Sequence, residues 1–504
     1  MSPTRNKPPV QPRESSARPA QLQTVPALIG KGLKLQRSGQ LQDAFSCYQK
    51  ALEIDPEHFD ALHLAATVHN QLGDHKTALL LFDRAIQINQ TSEVVYNNRG
   101  VVLKDLKRFD EALASYDQAL KIKPEYPSAL NNQGIALHEL GRFYEALASY
   151  NQALVIKPDY ASALNNRGTT LKAMGRFDEA LSNYDQALLI EANYLSALKN
   201  RAVVLQELGR LEEALFGCEE VLKIEPNDTD ALYNKGVTLQ ELKQFEEALA
   251  IYEHVLRIDA SHASALNNRG IVLQELDRFD DAIASYYQAL LINPSYPSAL
   301  NNLGIALQKL KRFDEALANF DQALLIRPDY PEALYNRGLL RLHLCQLQDG
   351  YVDHLHRWRS KRFSHTPLQL PIRPFRQGES LLGRCLIWAE QGLGDEIFYA
   401  GLLPLFSGRC SYLDLSVDRR LHPIFKRSFP EIRLLDRAQP LGAFETDYYD
   451  AQAPIGDLGY LLDVDEASIR ATREPYFKSN PERVQHIRTV NPFTQPGLVC
   501  GIAW

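Results

Sequence analysis

The six cysteines of this 504-residue chain (Cys47, Cys218, Cys345, Cys385, Cys410 and Cys500) lie far apart and include no CxxC pair. The sequence therefore offers neither a disulfide framework nor a zinc site, and the thiols read as reduced. There is no surplus of positive charge: 55 Lys and Arg stand against 62 Asp and Glu, a formal net charge of -7. A nucleic-acid partner is not expected from such a balance. No stretch approaches the roughly 18 uncharged apolar residues of a membrane span, and the opening residues MSPTRNKPPVQPRESSARPAQ hold no apolar signal core. Taken together, these absences predict a cytoplasmic protein. The chain is also too long for one ordinary core, so several domains or a repeat array must organise it.

What is present is a repeat. A small residue recurs every 34 positions, at Gly32, Ala66, Gly100, Gly134, Gly168, Ala202, Gly236, Gly270, Gly304 and Gly338. An alanine series from Ala44 to Ala316 keeps the same step, as do Phe109, Phe143 and Phe177, and Tyr116, Tyr150 and Tyr184. Within YPSALNNQGIALHELGRFYEALASYNQALVIKPD the apolar positions step by three and four, pause at Gly141 and end before Pro158. That pattern is helix, turn, helix. Each helix is only about 20 Å long, and no pair buries its apolar stripe alone, so stability must come from stacking. This phase resembles the tetratricopeptide repeat, a 34-residue unit, over residues 25–364. Gln90, Ala192 and Ala260 replace the unit-closing proline, while Gly350 and Arg357 replace alanines in the tenth unit, which reads as a degenerate cap.

One polar residue keeps the same step: Asn98, Asn132, Asn166, Asn200, Asn234, Asn268, Asn302 and Asn336. It lies two positions before the small anchor, on the side that lines the concave groove in tetratricopeptide superhelices, with Asn97, Asn131, Asn165, Asn267 and Asn301 beside it. A carboxamide offers two donors and two acceptor sites, so such a row can pair with the backbone of an extended peptide whatever its side chains. Local bonding to its own helix or to water is the competing reading. The row also resembles the asparagine ladder of O-linked N-acetylglucosamine transferase, and that resemblance implies a clamp on a protein or peptide partner.

After the array, a Pro-rich linker at 365–380 gives way to an α/β pattern over 381–490. RCLIWA, SYLDLSV and EIRLLD read as strands, and IFYAGLLPLF and DRRLHPIFKRSF as the helices between them, which predicts a parallel sheet. The loop EQGLGDE follows the first strand, where ligands sit in such sheets, and Gly392 and Gly394 open a helix whose free N–H groups attract phosphate or an acceptor group. Two glycines at a tight turn also have a purely steric explanation.

The runs LLGRCLIWAEQGLGDEIFYAGLLPLF, TDYYDAQAPIGDL and PGLVCGIAW resemble a heptosyltransferase-like domain, a GT-B glycosyltransferase with two Rossmann-like halves. The resemblance implies an inverting transferase with a nucleotide-sugar donor and Asp395 as general base; Glu390 and Gln391 beside it are polar enough to contact an acceptor, but nothing in the sequence singles them out. Helix capping explains an aspartate there equally well. His354, His356 and Trp358 lack partners at ligand spacing, so no metal is expected, nor any tightly bound cofactor. Tyr448 and Tyr449 read as packing at a strand end.

In the family it resembles, the strand at 491–504 opens the donor-binding half. The expectation is an all-α solenoid followed by one Rossmann-like half, with a 1–24 tail and an incomplete transferase. The functions in view are peptide binding, sugar transfer and an assembly scaffold. No motif fixes the oligomeric state.

Overall fold

A computed structural model describes residues 24–361, 363, 370–390, 392–438, 448–471, 477–478 and 480–482. Gln391, the strand expected at 491–504 and nearly all of the expected tail lie outside the described residues. The chain divides into two compact units, residues 1–243 and 244–504.

Both units contain the same helical pair. First helices of 13 residues alternate with second helices of 14, from Val25–Arg37 and Leu41–Ile54 to Pro331–His343 and a shortened Leu347–His354. The phase follows local chemistry. Proline opens the helices Pro127–Glu139, Pro297–Lys309 and Pro331–His343, where its missing N–H costs nothing. Asp74 and Asp228 cap others by accepting from the backbone N–H of Thr77 and Ala231. The turn between paired helices needs a left-handed residue: Gly39, Gly73, Gly141, Gly175 and Gly209 supply it without strain. Lys107, Lys243, Asp277, Lys311 and Cys345 take it up at the same 34-residue step, against the preference of a side chain with a Cβ.

The small anchors are small for a reason the structure makes plain. A Cβ built on Gly304 would lie 2.6 Å from the ring of Phe320, and one on Gly168 2.7 Å from the ring of Tyr184. Where the anchor is Ala202, the residue sixteen positions later is Cys218 rather than a ring, and a Cβ on Gly217 beside it would lie 3.3 Å from the Ala202 Cβ. An alanine anchor also occurs with a ring, since Ala66 and Phe82, sixteen residues apart, are buried in one cluster.

In the second unit the tenth pair does not end the core. Tyr351, from its second helix, is buried in the same cluster as Cys385, Ile387, Tyr399, Phe406, Leu415 and Phe425, and Leu342 and Leu347 pack against that cluster. The departures in this pair follow from that contact, so the expected cap is an interior face. A Cβ on Gly350 would sit 2.9 Å from Leu342, and Gly459 leaves room for the Tyr351 ring.

The cluster belongs to a four-stranded sheet, β1 (Leu381–Trp388), β2 (Cys410–Val417), β3 (Arg433–Asp436) and β4 (Ala451–Pro454), all parallel and ordered β3-β2-β1-β4. The parallel sheet expected from the strand and helix order is present. β4 was not foreseen as a strand. The single helix expected over IFYAGLLPLF is two, Leu393–Ala400 and Leu403–Ser407. Pro404 is the reason: its ring clashes with the carbonyl four residues back and it has no N–H to continue the ladder.

Candidate functional site

The asparagine row lies on the first helices, and its side chains are brought together across neighbouring repeats. In the first unit Asn132 Nδ2 donates to Asn97 Oδ1 at 3.0 Å, Asn166 to Asn131 at 3.0 Å and Asn200 to Asn165 at 3.1 Å. The adjacent amides close the links: Asn97 donates to Asn98 and Asn165 to Asn166, at 3.2 and 3.3 Å. Asn98 in turn reaches the His63 ring at 3.1 Å. The second unit repeats the pattern, from Asn336 to Asn301, Asn302, Asn267, Asn268 and the Tyr252 hydroxyl. In each link the donor stands 35 residues after its acceptor, one more than the repeat, because the bond runs between adjacent columns.

Burial separates the two columns. Asn97, Asn131, Asn165, Asn267 and Asn301 are buried, whereas Asn98, Asn132, Asn166, Asn200, Asn234, Asn268 and Asn302 are half-buried and Asn336 is buried. The wiring is interrupted where Lys199 replaces the buried amide; its ammonium bonds Asp228 at 3.0 Å instead. At Asn166, one donation and one acceptance use half of the carboxamide's capacity.

A second row escaped sequence reasoning, although its signal was a polar residue immediately before the anchor. Arg99 bonds Asp83 and Ser115, both at 2.7 Å; Arg167 bonds Asn151 and Asn183; Arg337 bonds Asp321 and Asp353. Each guanidinium thus spans two second helices, its planar fork matching two acceptors at once.

On the sheet, the chain runs β1, β2, β3 in one direction and returns to the far side of β1 for β4. The strand order reverses between β1 and β4, and in open α/β sheets ligands bind beyond the carboxyl ends at such a point. Gly392 caps the helix Leu393–Ala400 with extended backbone (φ -76°, ψ 171°), and Gly394 has open space at its Cβ position. Asp395 is half-buried in the first helical turn, its N–H donating to the Gly392 carbonyl at 3.1 Å. A carboxylate there complements the helix dipole, although the N-cap is Gly392 and no side chain caps this helix.

Its neighbour Glu396 is fully buried and accepts from the Asp418 N–H at 2.9 Å and from Arg437 at 2.5 Å. Burial raises its pKa, against the pull of those two partners. Glu390 is buried too, held by Arg357 of the tenth repeat: Nε donates to Oε1 at 2.8 Å. Arg357 Nη2 also lies 2.6 Å from Asp457 Oδ1, an ion pair made off the hydrogen-bonding direction. Burial works against the Arg357 charge, but Asp457 and Glu390 outweigh it and raise its pKa.

His354 is buried beside Tyr335 and Tyr399, and burial, with the Arg357 charge behind it, pulls its pKa down to about 3. Trp358 packs its ring 5.8 Å from that of Trp388. No group of three metal-ligating side chains occurs among the described residues. Tyr449 is buried and donates to the buried Asp414 at 2.8 Å, whereas Tyr448 stays partly exposed under the Arg384 guanidinium.

With this geometry in view, the comparisons are direct. Family profiles described as TPR repeat match residues 102–141, 134–175 and 275–311, and profiles described as tetratricopeptide repeat match 23–91, 159–224, 228–292 and 297–330. The helical array is a tetratricopeptide-repeat array. Proteins built on tetratricopeptide repeats mediate protein interactions.

Protein FlbA of Caulobacter vibrioides is 34% identical over 148 residues, 25% of this chain and 24% of FlbA, so the chain spans about a quarter of that relative's length. Among solved structures, YrrB, a tetratricopeptide protein with an unusual peptide-binding site, is 24% identical with a TM-score of 0.33, covering 37% of this chain and 95% of YrrB. The Pseudomonas aeruginosa PilF structure is 21% identical with a TM-score of 0.37, covering 41% of this chain and 94% of that one. The Cut9–Hcn1 hetero-tetramer matches at 15% identity and a TM-score of 0.43, over 63% of this chain and 76% of its own. Among the described residues no helix is long and apolar enough to cross a membrane.

Proposed function

We propose that this chain is a protein-binding tetratricopeptide solenoid whose first-helix face holds an extended polypeptide by its backbone. The observation that carries the reading is the half-buried column of amides. Each wired carboxamide has spent part of its capacity on the neighbouring repeat, and that bond fixes its orientation. A row of oriented amides at one repeat spacing suits a chain of N–H and C=O groups, with little ordering left to do on binding.

The test starts with peptides selected from a random library on the full-length protein. Asn132→Ala with Asn166→Ala should weaken a selected peptide at least tenfold, measured at a temperature where the variant is fully folded, because buried Asn97, Asn131 and Asn165 each lose a partner. Unchanged affinity would sink the groove reading and leave an assembly scaffold that docks partners elsewhere.

A second reading rests on the position of Asp395 beyond β1 in a parallel sheet ordered like the start of a Rossmann-like half. In it, the α/β region serves an inverting glycosyltransferase whose repeats recruit the acceptor, with a nucleotide sugar as donor substrate. Asp395 takes the proton from the acceptor hydroxyl as that oxygen bonds the anomeric carbon, and the nucleoside diphosphate leaves from the opposite face. Gly392 and Gly394 shape the loop that borders the acceptor. Incubation with nucleotide sugars and sequencing of modified acceptors tests it: transfer that survives Asp395→Asn removes the general base.

A further inference from the structure

The crevice between the ends of β1 and β4 is occupied by a residue of the array. β1 and β4 pair in register up to Trp388 and Pro454, and Glu390 and Asp457 follow these strand ends by two and three residues. Arg357 stands between the two carboxylates, 2.6 Å from an oxygen of each, with its Nη1 donating to the His354 carbonyl at 3.2 Å. Its side chain is wholly buried, and so is that of Glu390 apart from 1%.

The surroundings are cut to fit. A Cβ on Gly456 would strike Glu390 Oε1 and lie 3.3 Å from Arg357 Nη2, and Gly459 leaves its space to Tyr351. At the matching position of the ninth repeat stands Ala323, buried between helices.

We propose that Arg357 is a positioning residue that locks the tenth repeat into the sheet, so that the ends of β1 and β4, with Glu390, and the first turn of the following helix, Gly392 to Asp395, keep their places only while that repeat is docked. The physical cause is electrostatic. The buried Glu390 carboxylate and the Asp457 carboxylate, 20% exposed, repel each other unless a cation shares them, and a buried charge deprived of its partner is costly. The Trp358 ring lies 4.6 Å from the Arg357 guanidinium and covers one side of it. The array is then a wall of the α/β domain rather than a leash, and a displacement of the tenth repeat opens the crevice. The inference is independent of what the amide row binds.

Hydrogen–deuterium exchange on the full-length chain tests it. Arg357→Met should accelerate exchange at least tenfold in Ala451–Leu461, in Ile387–Glu390 and in Gly392–Glu396, with repeats 2 to 5 unchanged. Arg357→Lys, which keeps the charge but loses the fork, should accelerate the same amides less. Arg357→Met combined with Glu390→Gln and Asp457→Asn, which removes the repulsion, should restore much of the protection. The proposal fails if the Ala451–Leu461 amides stay within twofold of the parent in both single variants, or if faster exchange is confined to Leu355–Arg359. It fails equally if the triple variant exchanges no more slowly than Arg357→Met.

Discussion

Repeats 9 and 10 sit side by side in one unit, and among the matched positions that differ are four in or just after the second helix: Ala316, Leu317, Phe320 and Ala323 become Gly350, Tyr351, His354 and Arg357. In repeat 9 these residues face a neighbouring helix pair. In repeat 10 Tyr351 and Arg357 face the α/β domain. Gly350 makes room for Leu342, Tyr351 fills the α/β core, and Arg357 reaches two carboxylates. A repeat that looks degenerate by its consensus has been specialised for a different neighbour.

The comparison breaks most sharply at Tyr351. Tyr351→Ala should cost the α/β region about 3–5 kcal/mol, the range for emptying a buried aromatic site, while Leu317→Ala in repeat 9 costs less because that side chain is only partly buried. Differential scanning calorimetry with fragment-resolved proteolysis would separate the two.

The next largest effect is a pH dependence. The pKa of His354 is lowered from 6.5 to about 3 in the folded chain, so between those values the unfolded state binds the extra proton. The stability this group contributes is therefore complete above pH 6.5 and is lost as pH falls toward 3, by about 2 kcal/mol at pH 5. Glu396 and Asp457, whose pKa values are raised by burial, titrate in the opposite sense. The difference in pH dependence between the parent and His354→Phe isolates the histidine; identical slopes would remove the assignment.

A smaller effect compares wired with interrupted parts of the amide row. Asn165→Ala removes one partner each from Asn200 and Asn166 and should cost about 1–3 kcal/mol, whereas Asn234→Ala, beyond the break at Lys199, should stay within about 0.5 kcal/mol. Equal costs in chemical denaturation would show that the wiring is incidental. Smallest, and of opposite sign, Lys107→Gly relieves a left-handed lysine and should stabilise by about 0.5–1 kcal/mol, read as a rise in the array's melting temperature.

Much of the array was legible because its period is written in the chain: the anchors, the rings sixteen residues on and the turn all keep one step. The asparagine column was legible as a pattern, but not its bonding, since a spacing of 34 places amides near one another without saying that the bond joins residues 35 apart. The sheet was readable from its long apolar strands. β4 was not, because four residues ending in Pro454 gain strand geometry only from pairing with β1. The crevice was the least visible. Arg357, Glu390 and Asp457 lie in three separate segments, and the one local clue was a charged residue at a position where the other repeats carry alanine or valine.

The left-handed turn and the offset bonds have one consequence for how such a chain can change length. Because every seam between wired repeats is made of the same two amides, removing or duplicating 34 residues within Asn97–Asn200 joins equivalent surfaces and restores the same bond across the junction. Removing 33 or 35 residues would rotate every later side chain off its face. Length in this stretch is therefore quantised, whereas repeat 6, where Lys199 replaces the buried amide, and repeat 10, which carries Arg357, are not interchangeable with the wired repeats.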